Sequence, residues 1–480
     1  LTTRHYISGE LKPTCNATRC PRCSLAGLMG LLVHLLRHPE QRSRCTSGGW
    51  LPYLSCVTVS MRVLSAGEGY RYLLKSIAAG DTGRDLATLL TRYYSAAGTP
   101  PGFWVGNGLA GLEDPVLAEG GVVTEDQLRH LLGRGEHPVT GEQLGRAYFA
   151  FKPLRERVKI RTAKLSEALN ADQREAAVEQ IVAEEKQRKR PRTVAGFDYT
   201  FSVPKSVSVL WAVSDGGTQA LIGQAHHAAI REVIDLLERD VAATRTGANG
   251  VAQVDVRGVI ATAFDHFDSR AGDPQLHTHV VIANRVQAAD GKWRTVDGRP
   301  LHAAVVALSE HYNAVLADHL TRVLGVEWEV RARGRDRNPA WEITGVSDDL
   351  IGEFSSRTAA IETEKQRLIE EYIARHGKHP SDTTIIRLRQ QATLATRPEK
   401  EVRSLADLTT EWRDRATQVL GEDCTTWAMT LIQSGTHIGV LRADDLPLEQ
   451  LGQIGEAVVA QVGVKRSAWR RWNLYAEASR

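Results

Sequence analysis

No apolar run in these 480 residues is long enough to span a bilayer, which takes about 20 consecutive apolar residues. Leu25 to Leu36 comes nearest, but it is short and runs straight into Arg37 and His38. A cysteine-rich, basic segment precedes it and no cleavage site follows, so it does not read as a secretory signal either. Cysteine is almost missing from the body of the chain. Five of the six lie before Met61 and the sixth is Cys424, which excludes a disulfide scaffold and fits a reducing cytoplasm. Cys20-Pro21-Arg22-Cys23 has the spacing of a zinc knuckle, but no second well-spaced pair accompanies it. No GxxxxGK[ST] phosphate loop occurs. A strong excess of either charge is also lacking. The net charge is +3, so bulk charge does not argue for nucleic acid. Local clusters do exist, KQRKRPR at 186–192 and four arginines between Arg331 and Arg337. Such clusters can neutralise phosphates, although most are solvated helix ends or linkers.

What is present is a soluble, multi-domain composition: 42% hydrophobic, 24% charged, with a length that favours about two to four domains. Residues 1–60 lack clean periodicity and read as a non-native or disordered extension, with a natural start expected near Val57, Val59 or Met61. A core is expected over 61–345, carrying a charged helical insertion at 110–190, followed by a helical part at 346–480. Met61 to Leu64 reads as a short strand. Phe197 to Val213 reads as a strand passing into a helix, with a second helix capped by Thr218 and running to about Val241. Val254 to Phe267 and Leu276 to Val286 carry the strongest strand patterns, and Leu308 to Leu324 an amphipathic helix.

Chemistry concentrates in Asp265-His266-Phe267 and, past a polar loop, Pro274-Gln275-Leu276-His277-Thr278-His279. His277 and His279 project to one side of a strand because side chains alternate with period two, and Thr278 faces away. A hairpin between the two segments brings His266 near His277. Three neutral imidazoles can hold a divalent cation and leave coordination positions open, as catalytic sites do. Asp265, Asp268 and Asp273 are candidates for orienting the rings, with turn chemistry the ordinary alternative for Asp273. A cation held without a carboxylate ligand keeps its full charge, which suits a phosphate substrate. Tyr70, Tyr72, Tyr93 and Tyr94 offer phenols that could attack a phosphodiester, though isolated tyrosines are more often packing residues.

The tyrosine cluster, GFDYTFSVPKSVSVLWAV at 196–213 and FDHFDSRAGDPQLHTHVVIANRV at 264–286 together resemble conjugative relaxases of the TrwC/TraI type, members of the HUH endonuclease superfamily. The resemblance runs from about Met61 to at least Leu420 and is greatest to actinobacterial plasmid members. It implies an α+β fold, a central antiparallel sheet with the three histidines on one face, flanking helices, and a C-terminal helical flap over DNA. It also implies a transesterase that nicks single-stranded DNA at a plasmid transfer origin and leaves a 5′-phosphotyrosyl adduct. The family's metal ligands fall on His266, His277 and His279, and its motif aspartate on Asp198. Its nucleophile is the first of a Tyr-Tyr pair, where this chain has Tyr70-Arg71-Tyr72. Matching the preceding glycine places Tyr72 on that position, with Tyr70 next in line. Tyr93 and Tyr94 resemble a second pair. Lys205, Ser206 and Arg270 are candidates for DNA phosphates, with strand-to-helix packing the rival role for the first two. Implied partners are single-stranded DNA with a hairpin near the nick, a type IV secretion coupling protein and relaxosome accessory proteins. The implied cofactor is Mg²⁺ or Mn²⁺, with Zn²⁺ a third candidate. The implied setting is a bacterial cytoplasm, with transfer alongside the DNA. Relatives often continue into a helicase, so the chain reads either as truncated after the relaxase domain or as a stand-alone form, and the ending WRRWNLYAEASR favours truncation.

Three rival readings remain. A rolling-circle replication initiator uses the same chemistry but usually carries its tyrosine after the histidines, where Tyr312, Tyr372 and Tyr475 are the candidates. A DNA-binding protein could use the metal only to organise its fold. A hydrolytic nuclease would activate water and leave no adduct.

Overall fold

The structure, a computed structural model, describes residues 58–74, 101–149, 152–166, 168–188, 193–332, 339–398, 403–433 and 445–480. Tyr93, Tyr94, the CxxC segment and most of the proposed N-terminal extension lie outside them. Eleven strands are described: β1 Val59–Ser65, β2 Phe103–Val105, β3 Val194–Ser202, β4 Ala243–Thr246, β5 Ala252–Asp255, β6 Ala261–Asp268, β7 Pro274–Ala283, β8 Val286–Gln287, β9 Trp293–Arg294, β10 Trp328–Arg331 and β11 Ala340–Ile343. Five of them form one antiparallel sheet in the order β1-β3-β7-β6-β2. The fold is α+β, as expected.

Strand alternation divides the sheet into two chemically different faces. Phe197, Tyr199 and Phe201 of β3, Leu276, Val280 and Ile282 of β7, and Ala261, Ala263 and Phe267 of β6 share the main hydrophobic core. The helices covering that face are α1 Lys205–Val213, α2 Gly216–Asp240 and α3 Gly298–Leu324. Helix α2 begins earlier than expected, because Asp215 and not Thr218 is its cap: the Asp215 carboxylate accepts from the Gly217 and Thr218 amides. Asp297 caps α3 in the same way, and Leu301, Ala304 and Ala307 extend the buried stripe N-terminally from Leu308. On the opposite face, Phe264, Val281 and Ala283 pack with Leu64, Tyr70, Leu73 and Trp104 in a second core.

Val59 is fully buried and pairs with Phe201, so the ordered core reaches into the segment read as an extension. Val346, Leu350, Phe354, Trp412 and Tyr475 belong to the same core as the sheet, so the C-terminal helices pack onto the sheet's helical layer. The charged insertion contains two helices, Leu154–Thr162 and Ala171–Gln187, the second capped by the Asn170 side chain. Glu185 is buried there between Arg157 and Arg161.

The C-terminal helices hold the loop that joins β6 to β7. Trp412 Nε1 donates to the Gly272 carbonyl at 2.7 Å. The Asp273 carboxylate accepts from the Ser356 amide at 2.9 Å, the Ser356 hydroxyl at 3.1 Å and Arg415 at 3.3 Å. Asp273 is therefore an anchor for this layer and does not orient a metal-site histidine.

Lys205 and Ser206 are likewise corrected. Ser206 is fully buried; its amide donates to Glu342 and its hydroxyl accepts from the Ile343 amide, which docks β11 against α1. Lys205 turns inward and donates to the Pro274 carbonyl at 2.7 Å. Neither offers its polar group to a phosphate. Burial pushes the Lys205 ammonium down to about 8. An unfolded lysine titrates near 10.4, so between these values the unfolded chain binds more protons and stability rises with pH. A Lys205→Met variant removes that dependence. Its stability relative to the parent, read from urea midpoints, should fall by up to about 3 kcal/mol between about pH 7 and about pH 10. A difference that stays constant over that range would contradict the burial of the charge.

Candidate active site

The register of the sheet assembles the site. His266 of β6 stands opposite His277 of β7, and His279 stands opposite Thr200 of β3. The ring centroids lie 5.1 Å (His266 to His277), 4.9 Å (His266 to His279) and 5.4 Å (His277 to His279) apart. One ligand nitrogen from each can be chosen so that all three lie within 4.8 Å of one another. The hydrogen bonds assign two tautomers. His277 Nδ1 donates to the Gln275 carbonyl at 2.8 Å, and His279 Nδ1 donates to the Asp198 carboxylate at 2.9 Å. Both rings thus keep an Nε2 lone pair, and a partner on the other nitrogen is the usual arrangement for metal-binding histidine. Three imidazole donors, two of them with this support, fit a divalent cation.

Asp198 lies on β3, on the same face as Thr200, and is only 3% exposed. Besides accepting from His279, it accepts from the Tyr72 hydroxyl. Tyr72 sits in the helical turn Arg71–Leu74. Tyr70 and Leu73 on either side of it are buried in the second core, which fixes the turn and leaves the Tyr72 ring 38% exposed beside the histidines. Its ring meets His279 edge-on, with centroids 5.9 Å apart. Burial and the adjacent Asp198 charge push the Tyr72 phenol well above its ordinary range, while Arg62 acts in the opposite direction. Tyr70 is 1% exposed and belongs to the core; it is corrected from a candidate nucleophile to the residue that seats the turn.

These groups line a cavity of about 860 Å³ whose wall includes Tyr72, Asp198, His266, His277 and His279. Arg62, Arg270, Arg357 and Arg397 line it as well. Arg270, exposed in the β6–β7 loop, has its affinity for a proton lowered by partial burial and by the neighbouring Arg397 and Arg357 charges. Three mutually repelling guanidiniums at one opening favour an anion between them. Arg357 and Arg397, with Thr393 and Leu394, come from the C-terminal helical region, which therefore overhangs the site.

Sequence reasoning missed Arg62, Arg357 and Arg397. Arg62 was open to inference once Asp198 was placed, since it faces Asp198 across the β1–β3 pair. The other two had no local signal, because their place depends on how the C-terminal helices fold back. Asp265, considered as a partner for the metal-site rings, points to the opposite face and pairs with His227. Among the downstream tyrosines, Tyr312 is fully buried against His226, Tyr475 is buried, and Tyr372 stacks on His376. None lines the cavity.

Comparison with known proteins agrees with this geometry. The family model for the TrwC relaxase matches residues 66–419. The multifunctional conjugation protein TraI of Escherichia coli is 35% identical over 176 residues, covering 35% of this chain and 9% of TraI. TraI of Escherichia coli strain K12 is 33% identical over 184 residues, covering 36% of this chain and 10% of TraI. The chain thus spans about a tenth of the length of these relatives. Among solved structures, a metal-bound conjugative relaxase TrwC in complex with oriT DNA aligns with a TM-score of 0.51 at 25% identity, covering 76% of this chain and all of that one. A copper-bound form of the same kind of complex aligns at 0.52 and 24% identity, with the same coverage, and supports the fold. With a family match over most of its length, a sheet of the same architecture and the three histidines brought together on it, the chain belongs to the TrwC relaxase family.

Proposed function

We propose that this chain is a metal-dependent relaxase that nicks one strand of DNA at a plasmid transfer origin through a 5′-phosphotyrosyl intermediate, with Tyr72 as the nucleophile. The observation that carries this reading is the hydrogen-bonded chain from the Tyr72 hydroxyl to Asp198 to His279, alongside the three-histidine cluster. His266, His277 and His279 would hold the cation. When bound, it would polarise a non-bridging phosphate oxygen and offset the charge that builds up at phosphorus.

Tyr72 Oη attacks phosphorus and its proton passes to Asp198, the acceptor already in contact with it. The bond from phosphorus to the 3′ oxygen breaks, leaving a free 3′ hydroxyl after proton uptake and the 5′ phosphate esterified to Tyr72. Asp198 also holds the His279 ring by its Nδ1–H, so one carboxylate serves both the nucleophile and the metal centre. Arg62, Arg270, Arg357 and Arg397 contact the backbone of the incoming strand. TrwC of known structure is in complex with oriT DNA, and TraI is a conjugation protein; in keeping with them we assign single-stranded plasmid DNA with a hairpin near the nick site as substrate, and a type IV coupling protein and relaxosome proteins as partners. No described helix is long and apolar enough to cross a membrane, and we place the reaction in the bacterial cytoplasm, before transfer with the DNA. Mg²⁺ and Mn²⁺ are the working candidates. Zn²⁺ would bind the imidazole set more tightly.

The rolling-circle reading loses support, because the tyrosine facing the histidines precedes them in sequence. Incubation with single-stranded origin DNA and Mn²⁺ should give a covalent species on a denaturing gel. Tyr72→Phe should abolish it, while Tyr70→Phe should keep it at the level set by that variant's folding. An adduct that survives Tyr72→Phe would move the nucleophile elsewhere. Cleavage without adduct would move the chain to the hydrolytic nucleases. Asp198→Asn should slow adduct formation by about 10²- to 10⁴-fold without loss of DNA binding; a rate equal to the parent's would remove Asp198 from proton transfer.

A further inference from the structure

Directly behind the three histidines, on the helix-covered face of the sheet, lies a run of buried polar side chains that the proposed chemistry does not use. The register that sets His266 against His277 also sets Asp265 against Thr278. Thr278 Oγ1 donates to Asp265 Oδ1 at 2.5 Å. Its one proton being spent, the hydroxyl accepts from His226 Nε2 at 2.8 Å. The His226 proton is then on Nε2, and its Nδ1 accepts from the Tyr312 hydroxyl at 2.6 Å. From the other side, His227 Nε2 donates to both Asp265 oxygens, at 3.0 and 2.9 Å. Each bond fixes the direction of the next, and one consistent chain links α3, α2, β7 and β6. Thr278, His226 and Tyr312 are fully buried and Asp265 nearly so. Burial pushes the His226 ring down to about 3, so it stays neutral, as the tautomer requires.

Buried polar groups are costly unless each is satisfied, and an apolar residue at 278 would fill the space between sheet and helices without that demand. What the polar chain adds is direction. Apolar packing tolerates a small slide of one strand along the other, whereas a hydrogen bond of this length does not. Sliding β6 along β7 would move His266 away from the pair formed by His277 and His279. We infer that Thr278, Asp265 and His226 are positioning residues for the metal centre, clamping β6 to β7 from behind and so fixing the spacing of the three ligand histidines. The inference rests on reading those histidines as metal ligands.

The test is Mn²⁺ binding alone, without DNA, followed by electron paramagnetic resonance on the full chain, with thermal unfolding measured in parallel. Thr278→Val, nearly the same shape, should weaken Mn²⁺ binding by about 5-fold or more, within the range for a residue that acts on a site without touching its ligand. Thr278→Ser restores the hydroxyl and should recover affinity to within about twofold of the parent. Leu237→Ala, which opens the same core on α2, should lower thermal stability and leave Mn²⁺ affinity unchanged. If Thr278→Val does not fold, Asp265→Asn takes its place with the same expectation. Parent-like affinity in the folded Thr278→Val or Asp265→Asn chain would overturn the inference and leave the network a purely structural one. If the parent binds no Mn²⁺, or His266→Ala binds it as well as the parent, the metal reading itself fails and the inference with it.

Discussion

His266 faces His277, and Asp265 faces Thr278, because β6 and β7 hold one register from Ala261 to His266, shifting only beyond it, and nearly everything at the site follows from that pairing. Side chains on a strand alternate strictly, so a one-residue slip of β7 would send His277 and His279 into the helix-covered core and bring Thr278 to the cavity, and a slip of β6 would exchange His266 for Asp265 in the same way. The register is held from three directions. Leu276, Val280 and Ile282 belong in the core with Ala261, Ala263 and Phe267. The polar chain through Thr278 and Asp265 ties the strands to helices α2 and α3. At the open end, Trp412 and Asp273 tether the connecting loop to the C-terminal helices. Those same helices bring Arg357 and Arg397 to the cavity, so the element that closes over the site also stiffens it.

Charge is organised locally although the chain as a whole is close to neutral, at +3. Four arginines line one cavity in which Asp198 is nearly buried. That carboxylate sits between a phenol and an imidazole and accepts from both. The same charge that favours the Tyr72 proton staying in place is the base that can receive it once a phosphate and a cation supply the opposing field. The proximity of Arg62 works in that direction already.

Much of this site was legible in the residues themselves. Period-two alternation was enough to put His277 and His279 together and to turn Thr278 away, and the short polar loop was enough to bring His266 across. Choosing Tyr72 over Tyr70 required the matched glycine, and the structure gives the physical reason: Tyr70 and Leu73 are spent on the core, which leaves Tyr72 to face the cavity. Failures arose where long-range packing decides. Lys205 and Ser206 offer polar groups either to phosphates or to strand-to-helix packing, and packing wins because β11 returns from more than a hundred residues away to occupy the Ser206 amide and hydroxyl. Asp265 is a poor candidate for orienting the metal-site rings, because the alternation that places His266 in the cavity turns Asp265 to the other face. Thr218 lost its capping role to Asp215, three residues earlier and equally suited by chemistry. Arg357 and Arg397 are set by the path of the C-terminal helices, which no local pattern encodes.

The central claim is that the phenol in contact with Asp198 is the group that takes the DNA strand. The most direct measurement is tandem mass spectrometry of peptides recovered after reaction with single-stranded origin DNA and nuclease trimming. The account predicts the residual 5′-linked nucleotide on Tyr72, in the peptide containing Gly69-Tyr70-Arg71-Tyr72. A nucleotide carried by Tyr70, by Tyr93 or Tyr94, or by any tyrosine after the histidines would contradict it.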